Sequence, residues 1–216
     1  MRRVAAALVT GPSTAAPPGV DPAAFALAMA EDVYDTLAGL ELLTAGLVAG
    51  PRAPHGLDEL VWPGTPLIRL PDDGSEPTRA ALDQFAAAGA DQAALVAADA
   101  PDLPPLLVGK LFRALGSAPV AVCPTADGRL VALAARLPAP GWLGPVDLDG
   151  PDAMGALAGA PRRRDVAVGP GWHRLTAPAD LALLDPGLEG WDATRTLLSR
   201  PPAPAPDRSG STTGGG

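Results

Sequence analysis

The tightest constraint on this chain is a set of short, unbroken apolar runs, each stopped by Gly, Pro or Asp. Residues 4–9 are apolar at every position and end at Thr10-Gly11-Pro12, and residues 93–98 are apolar throughout and end at Asp99. A strand with one wet face alternates between apolar and polar. A strand that is apolar at every position is buried on both faces, as in a parallel sheet covered by helices on each side. Between these runs the period changes. Residues 23–40 place Phe25, Met29, Val33, Leu37 and Leu40 on one helical face, after Asp21 as N-cap and Pro22 at the first helical position.

The same reading predicts strands at residues 42–49, 66–70, 119–123, 130–135 and 166–168. It predicts helices at residues 77–88, ended by Gly89, and at 104–115. A short helix is expected at 152–157, further helical stretches at 177–184 and 188–198, and a turn at Asp127-Gly128. Helix and strand alternate across residues 4–125, so the expected fold class is α/β with a mainly parallel central sheet flanked by helices. Residues 1–200 are expected to form one such domain. The Pro, Gly and Ser-rich tail at 201–216 can bury nothing and is expected to be disordered.

Composition excludes several alternatives. The chain is 47% hydrophobic and 19% charged, which rules out a charged disordered chain, and aromatics are only 4%, so the core must be Ala, Leu and Val. With 16 Lys and Arg against 24 Asp and Glu, the net charge is −8. The only basic run, Arg162-Arg163-Arg164, stands beside Asp165 and reads as a solvated turn, so no nucleic-acid partner is expected. Cys123 is the single cysteine. It lies in an apolar run without a zinc-type cluster and reads as a buried structural thiol. The apolar run after Met1-Arg2-Arg3 is too short for a signal-peptide core, and no segment reads as membrane-spanning, so a cytoplasmic location is expected. Trp62, Trp142 and Trp191 read as fillers of the core or an interface, and Asp72-Asp73-Gly74 as a turn.

In open α/β sheets the ligand crevice lies at the carboxyl ends of the strands. That singles out Thr10-Gly11, Asp99 with Asp102, and Asp127-Gly128. Asp99 at a strand end, with Asp102 beside a helix start, has the spacing of carboxylates that hold Mg²⁺ or Mn²⁺ against a phosphate substrate. The same spacing also fits a plain structural role, Asp99 capping the turn and Asp102 the helix. Ser13 has no nucleophile-elbow context, which argues against a serine hydrolase. His173 beside Trp172 has the chemistry to stack on a base or accept a proton, or simply to pack, and His55 lies in a Pro-rich loop without a partner.

Asp99-Ala100-Pro101-Asp102-Leu103 after an apolar strand resembles the "D-x-P-D-L" segment of the DUF2064 family. These are glycosyltransferase-A-like proteins related to the molybdenum-cofactor and phospholactate guanylyltransferases. Four further segments match in order. Asp35-Thr36-Leu37 resembles the early "L-D-T-L" helix, and Thr78-Arg79 sits where a helix begins near an Arg. Cys123-Pro124-Thr125-Ala126-Asp127-Gly128 resembles the "G-P-x-x-D-G-G" turn. Thr176-Ala177-Pro178-Ala179-Asp180-Leu181 resembles the closing "D-T-P-E-D-L". The resemblance spans about residues 4–184 and implies a nucleotide or nucleotide-sugar ligand over the strand ends. It further implies a metal, Mg²⁺ or Mn²⁺, on Asp99, substrate contacts from Thr10, Gly11, Asp102 and Gly128, and a catalytic or turn-holding Asp127. Asp99, Asp127 and the loop after Thr10 are then expected to converge on one crevice.

The departures are equally specific. The first loop, residues 10–19, lacks the family's Lys-Thr-Arg element, and Pro12, Pro17 and Pro18 offer no N–H to a phosphate. Arg129 stands where a second Gly is expected. His173, Arg174, Leu175 and Thr176 occupy the stretch where the family has a second metal-binding carboxylate. Two functions follow as alternatives: metal-dependent nucleotidyl or glycosyl transfer, or a catalytically degenerate binding or interaction module. In either case Arg162 to Arg164 are the cations to look for beside the phosphate position, in place of the lost basic loop.

Overall fold

The computed structural model describes residues 1–72 and 76–199. Asp73 and Gly74 of the expected turn and the expected disordered tail lie outside the described residues. A seven-stranded sheet has the order β3-β2-β1-β4-β6-β5-β7, where β1 is Arg3–Val9, β2 Thr44–Ala49, β3 Leu67–Arg69, β4 Gln92–Ala97, β5 Val120–Pro124, β6 Leu130–Arg136 and β7 Val166–Val168. Every strand pair is parallel except the two that involve β6. The α/β class with a mostly parallel sheet is therefore what the chain adopts.

Strand alternation explains the unbroken apolar runs. In β1, Ala5, Ala7 and Val9 enter one buried cluster, while Val4, Ala6 and Leu8 enter another on the opposite face. The first face is covered by α1 (Pro22–Ala38) and α4 (Pro105–Ala114), with α2 (Leu57–Leu60) at its edge. The second is covered by α3 (Pro77–Ala87) and by the irregular segment carrying Leu143, Val146 and Leu148. Alanine in the central strands lets the layers on both faces approach closely. The helix starts are set by caps. Asp21 accepts from the Ala24 N–H at 2.9 Å, and Glu76 accepts from the Thr78 and Arg79 N–H groups, each at 2.8 Å.

A third cluster joins the first loop to the segment around residues 175–191. Ala15, Phe25 and Met29 pack with Leu175, Leu184 and Trp191. The last helix among the described residues, α5 (Asp192–Leu198), is docked on α1 by Asp32, whose carboxylate accepts from the Ala193 and Thr194 N–H groups at 2.9 and 2.8 Å.

Several expected elements are corrected. β2 begins at Thr44, because Leu42 takes a left-handed backbone (φ 67°) and is exposed. The stretches expected as helix at 152–157 and 177–184 are 3-10 turns, Gly155–Gly159 and Pro178–Leu183. α5 starts at Asp192 rather than at 188, since Gly190 has φ 93° and breaks the helix before it. Trp191 is buried and Trp142 packs on the second cluster, but Trp62 is 70% exposed and fills no core.

Candidate functional site

The chain passes from β1 through α1 to β2 and β3 on one side, then returns to place β4 on the other side of β1. That reversal opens a crevice at the carboxyl ends of β1 and β4, where doubly wound sheets hold ligands. A cavity of about 490 Å³ lies there, lined among others by Thr10, Gly11, Asp99, Arg129, Asp149 and Arg174. Ala98 donates its N–H to the Leu8 carbonyl at 3.1 Å, which brings the residues after the two strands side by side.

A late segment of chain crosses these strand ends. Trp172 donates its backbone N–H to Pro124 at 3.0 Å and Leu175 to the Asp99 carbonyl at 2.8 Å. Gly171 permits the approach, since a Cβ there would stand 2.8 Å from the Pro124 carbonyl oxygen. Arg174 is thereby laid over Asp99 and is buried. Its Nε and Nη2 donate to the two Asp99 oxygens at 2.6 and 2.8 Å. Nη1 donates to the Leu130 and Leu148 carbonyls at 3.1 and 2.8 Å, and Nη2 also to Asp149. All five guanidinium N–H groups thus have an acceptor. Asp149 in turn accepts from the Thr10 hydroxyl at 3.2 Å, which ties the first loop to the same network.

Burial pushes the Asp99 carboxyl up, against the pull of the Arg174 charge. Burial works against charge on Arg174 too, but Asp99 and Asp149 outweigh it and hold the guanidinium protonated well above its ordinary range. The four charged groups on the cavity wall, Asp99, Asp149, Arg129 and Arg174, sum to zero. A divalent cation does not fit this arrangement. Both Asp99 oxygens face a guanidinium, and among the described residues no three His, Cys, Asp or Glu side chains are grouped to hold a metal.

Thr10, Gly11 and Asp99 therefore share one crevice, but Asp127 does not line it. It lines an adjoining cavity of about 250 Å³ with Thr125, Trp172, His173 and Asp180, and Arg129, Arg174 and Thr176 border both. Thr125 donates its hydroxyl to Asp127, and Arg129 Nε lies 3.4 Å from the Asp127 carboxylate. Gly128 forms the turn at φ 91° and lines neither cavity. Asp102 is buried behind the second cavity and accepts from Trp172 Nε1 at 3.2 Å, with His173 Nε2 3.0 Å away. The N-cap of α4 is Pro104, so Asp102 does not cap that helix. Trp172 and His173 stack on each other, with centroids 4.8 Å apart.

Arg162, Arg163 and Arg164 are exposed and line neither cavity. Cys123 is buried, donates to the Pro170 carbonyl at 3.1 Å, and has its thiol pushed up to about 11 by burial. It is the inert thiol that its surroundings suggested. The residues of the network that sequence reading missed are Asp149, hidden in the turn-like Asp147-Leu148-Asp149-Gly150, and Arg174, seen only as a missing carboxylate.

Solved structures share this architecture. A protein assigned as a nucleotide-diphospho-sugar transferase from Desulfovibrio desulfuricans G20 superposes with a TM-score of 0.63 at 18% identity, covering 91% of this chain and 95% of that one. The fold is that of the nucleotide-diphospho-sugar transferases. Others with this fold include a CMP:2-keto-3-deoxy-manno-octonic acid synthetase complexed with CTP, with a TM-score of 0.50 and 12% identity over 85% of this chain and 96% of that one. Rv0371c from Mycobacterium tuberculosis H37Rv, in complex with manganese, has a TM-score of 0.51 and 20% identity over 92% of this chain and 98% of that one. No family model and no curated protein matches the chain by sequence. Among the described residues, no helix is long and apolar enough to cross a membrane.

Proposed function

We propose that this chain binds a nucleotide or nucleotide-sugar in the crevice at the β1 and β4 ends, as a divergent relative of the DUF2064 proteins. The observation that carries the reading is the placement of Thr10, Gly11 and Asp99 around one cavity at the switch point of a nucleotide-diphospho-sugar transferase fold. Phosphate recognition falls to Arg129. It stands where the resemblance expects Gly, borders both cavities, and keeps 30% of its side chain exposed, with Nε 3.4 Å from the Asp127 carboxylate. A part-exposed guanidinium paired on one side by a carboxylate can offer its remaining N–H groups to a phosphate. Asp127 holds Arg129 from the turn below, and the adjoining cavity, with its stacked Trp172 and His173, takes the remainder of the ligand.

Between the two readings of activity, the geometry favours the binding module. Metal-dependent transfer needs Asp99 free to hold a cation, and Asp99 is engaged by Arg174. The test is a thermal-shift screen of the full chain against common nucleotides and nucleotide-sugars. At least one should raise the melting temperature, with Kd weakened about tenfold or more in Arg129→Ala. Absence of any stabilising ligand across the panel would sink the reading.

A further inference from the structure

We infer that Arg174 is the resident cation of this crevice: its guanidinium takes the place of a divalent metal between Asp99 and Asp149, so the site binds its ligand without one. Three observations converge on this. Asp99 is engaged at both oxygens by one planar group, the bidentate geometry that makes an arginine–carboxylate pair specific. The guanidinium is also anchored from behind, because Nη1 is held by the Leu130 and Leu148 carbonyls. It therefore cannot swing aside without leaving two buried donors unpaired. Finally, the network reaches the ligand loop, since Asp149 links Arg174 to the Thr10 hydroxyl.

A metal bound by two aspartates would be exchangeable and would order the loop only when loaded. The arginine is permanent, so the loop, Asp149 and Asp99 are arranged before any ligand arrives. Because every Arg174 donor is already committed, the guanidinium positions the carboxylates and neutralises them but leaves phosphate contact to Arg129. Arg174 is thus a positioning residue rather than a catalytic one. The claim about ligand binding rests on the reading of the crevice as a nucleotide site, whereas the claim about the cation stands without it.

The test is Mn²⁺ binding by the ligand-free full chain, followed by the paramagnetic signal of free Mn²⁺. The parent should show no Mn²⁺ site that depends on Asp99, and Arg174→Gln should gain one that Asp99→Asn then removes. A parent site lost on Asp99→Asn overturns the inference, and so does a folded Arg174→Gln that gains no site. Should Arg174→Gln fail to fold, the parent and Asp99→Asn titrations still decide the matter. Failure of every nucleotide to bind would overturn the ligand reading and leave the Mn²⁺ result intact, so the two failures are told apart.

Discussion

At the scale of single residues, charge placement decides what the crevice can hold. Two unit charges 4 Å apart at a half-wet protein site interact by about 4 kcal/mol, so a dication brought beside Arg174 meets roughly twice that in repulsion. Removing the guanidinium has the opposite fault, since Asp99 and Asp149 are then left facing each other. Arg174→Ala should cost about 3 kcal/mol in urea unfolding, the low end for breaking a buried pair because Asp149 is 42% exposed. A loss below about 1 kcal/mol would show that the pair is not structural. Cys123 carries a simpler expectation. Buried, with its thiol near 11, it should not react with a thiol reagent near pH 8 until the chain unfolds. Rapid labelling of the folded chain would contradict its inert role.

Among elements, the joint between α1 and α5 carries a titrating carboxyl. Burial pushes the Asp32 carboxyl up to about 6 from an ordinary 3.8, against hydrogen bonds from Thr194 and Ala193 that favour the ionised form. The folded chain therefore holds this proton more tightly than the unfolded chain. Its contribution to stability is fully present below the unfolded value and is lost as pH rises through about 6. The full change is about 3 kcal/mol. Asp32→Asn should flatten that decline, read as urea midpoints across the acid range, and an unchanged slope would rule out Asp32 as its source. The turn before β6 offers a second check. Gly128 sits at φ 91°, and a Cβ there would lie 3.1 Å from the Pro151 carbonyl oxygen. Gly128→Ala should lower stability by about 1–2 kcal/mol, and a neutral outcome would mean that the turn relaxes.

For the molecule as a whole, the layers were legible wherever a local pattern carries the information. β1 and β4 declare themselves because burial on both faces leaves no polar position in either run. α1 does so through Asp21-Pro22 and a four-residue apolar spacing. Legibility fades where tertiary contacts decide. Residues 177–184 look helical, yet Asp180 turns back to accept from the Thr176 and Ala177 N–H groups and the segment stays a 3-10 turn. The crevice divides in the same way. Thr10, Gly11 and Asp99 follow strands and could be named from position alone. The Arg174 contacts join residues 75 and 25 positions away, Asp99 and Asp149, and no local spacing records them. A stretch that reads as the loss of a carboxylate is, in three dimensions, the delivery of a cation.

The central claim is that this crevice takes a nucleotide-type ligand with its own arginine in the metal's place. Calorimetric titration of the tightest ligand from the thermal-shift screen into the full chain, once with EDTA and once with Mn²⁺, tests it most directly. The affinities should agree within about twofold. Binding that appears only with Mn²⁺, or tightens about tenfold or more with it, would contradict the account.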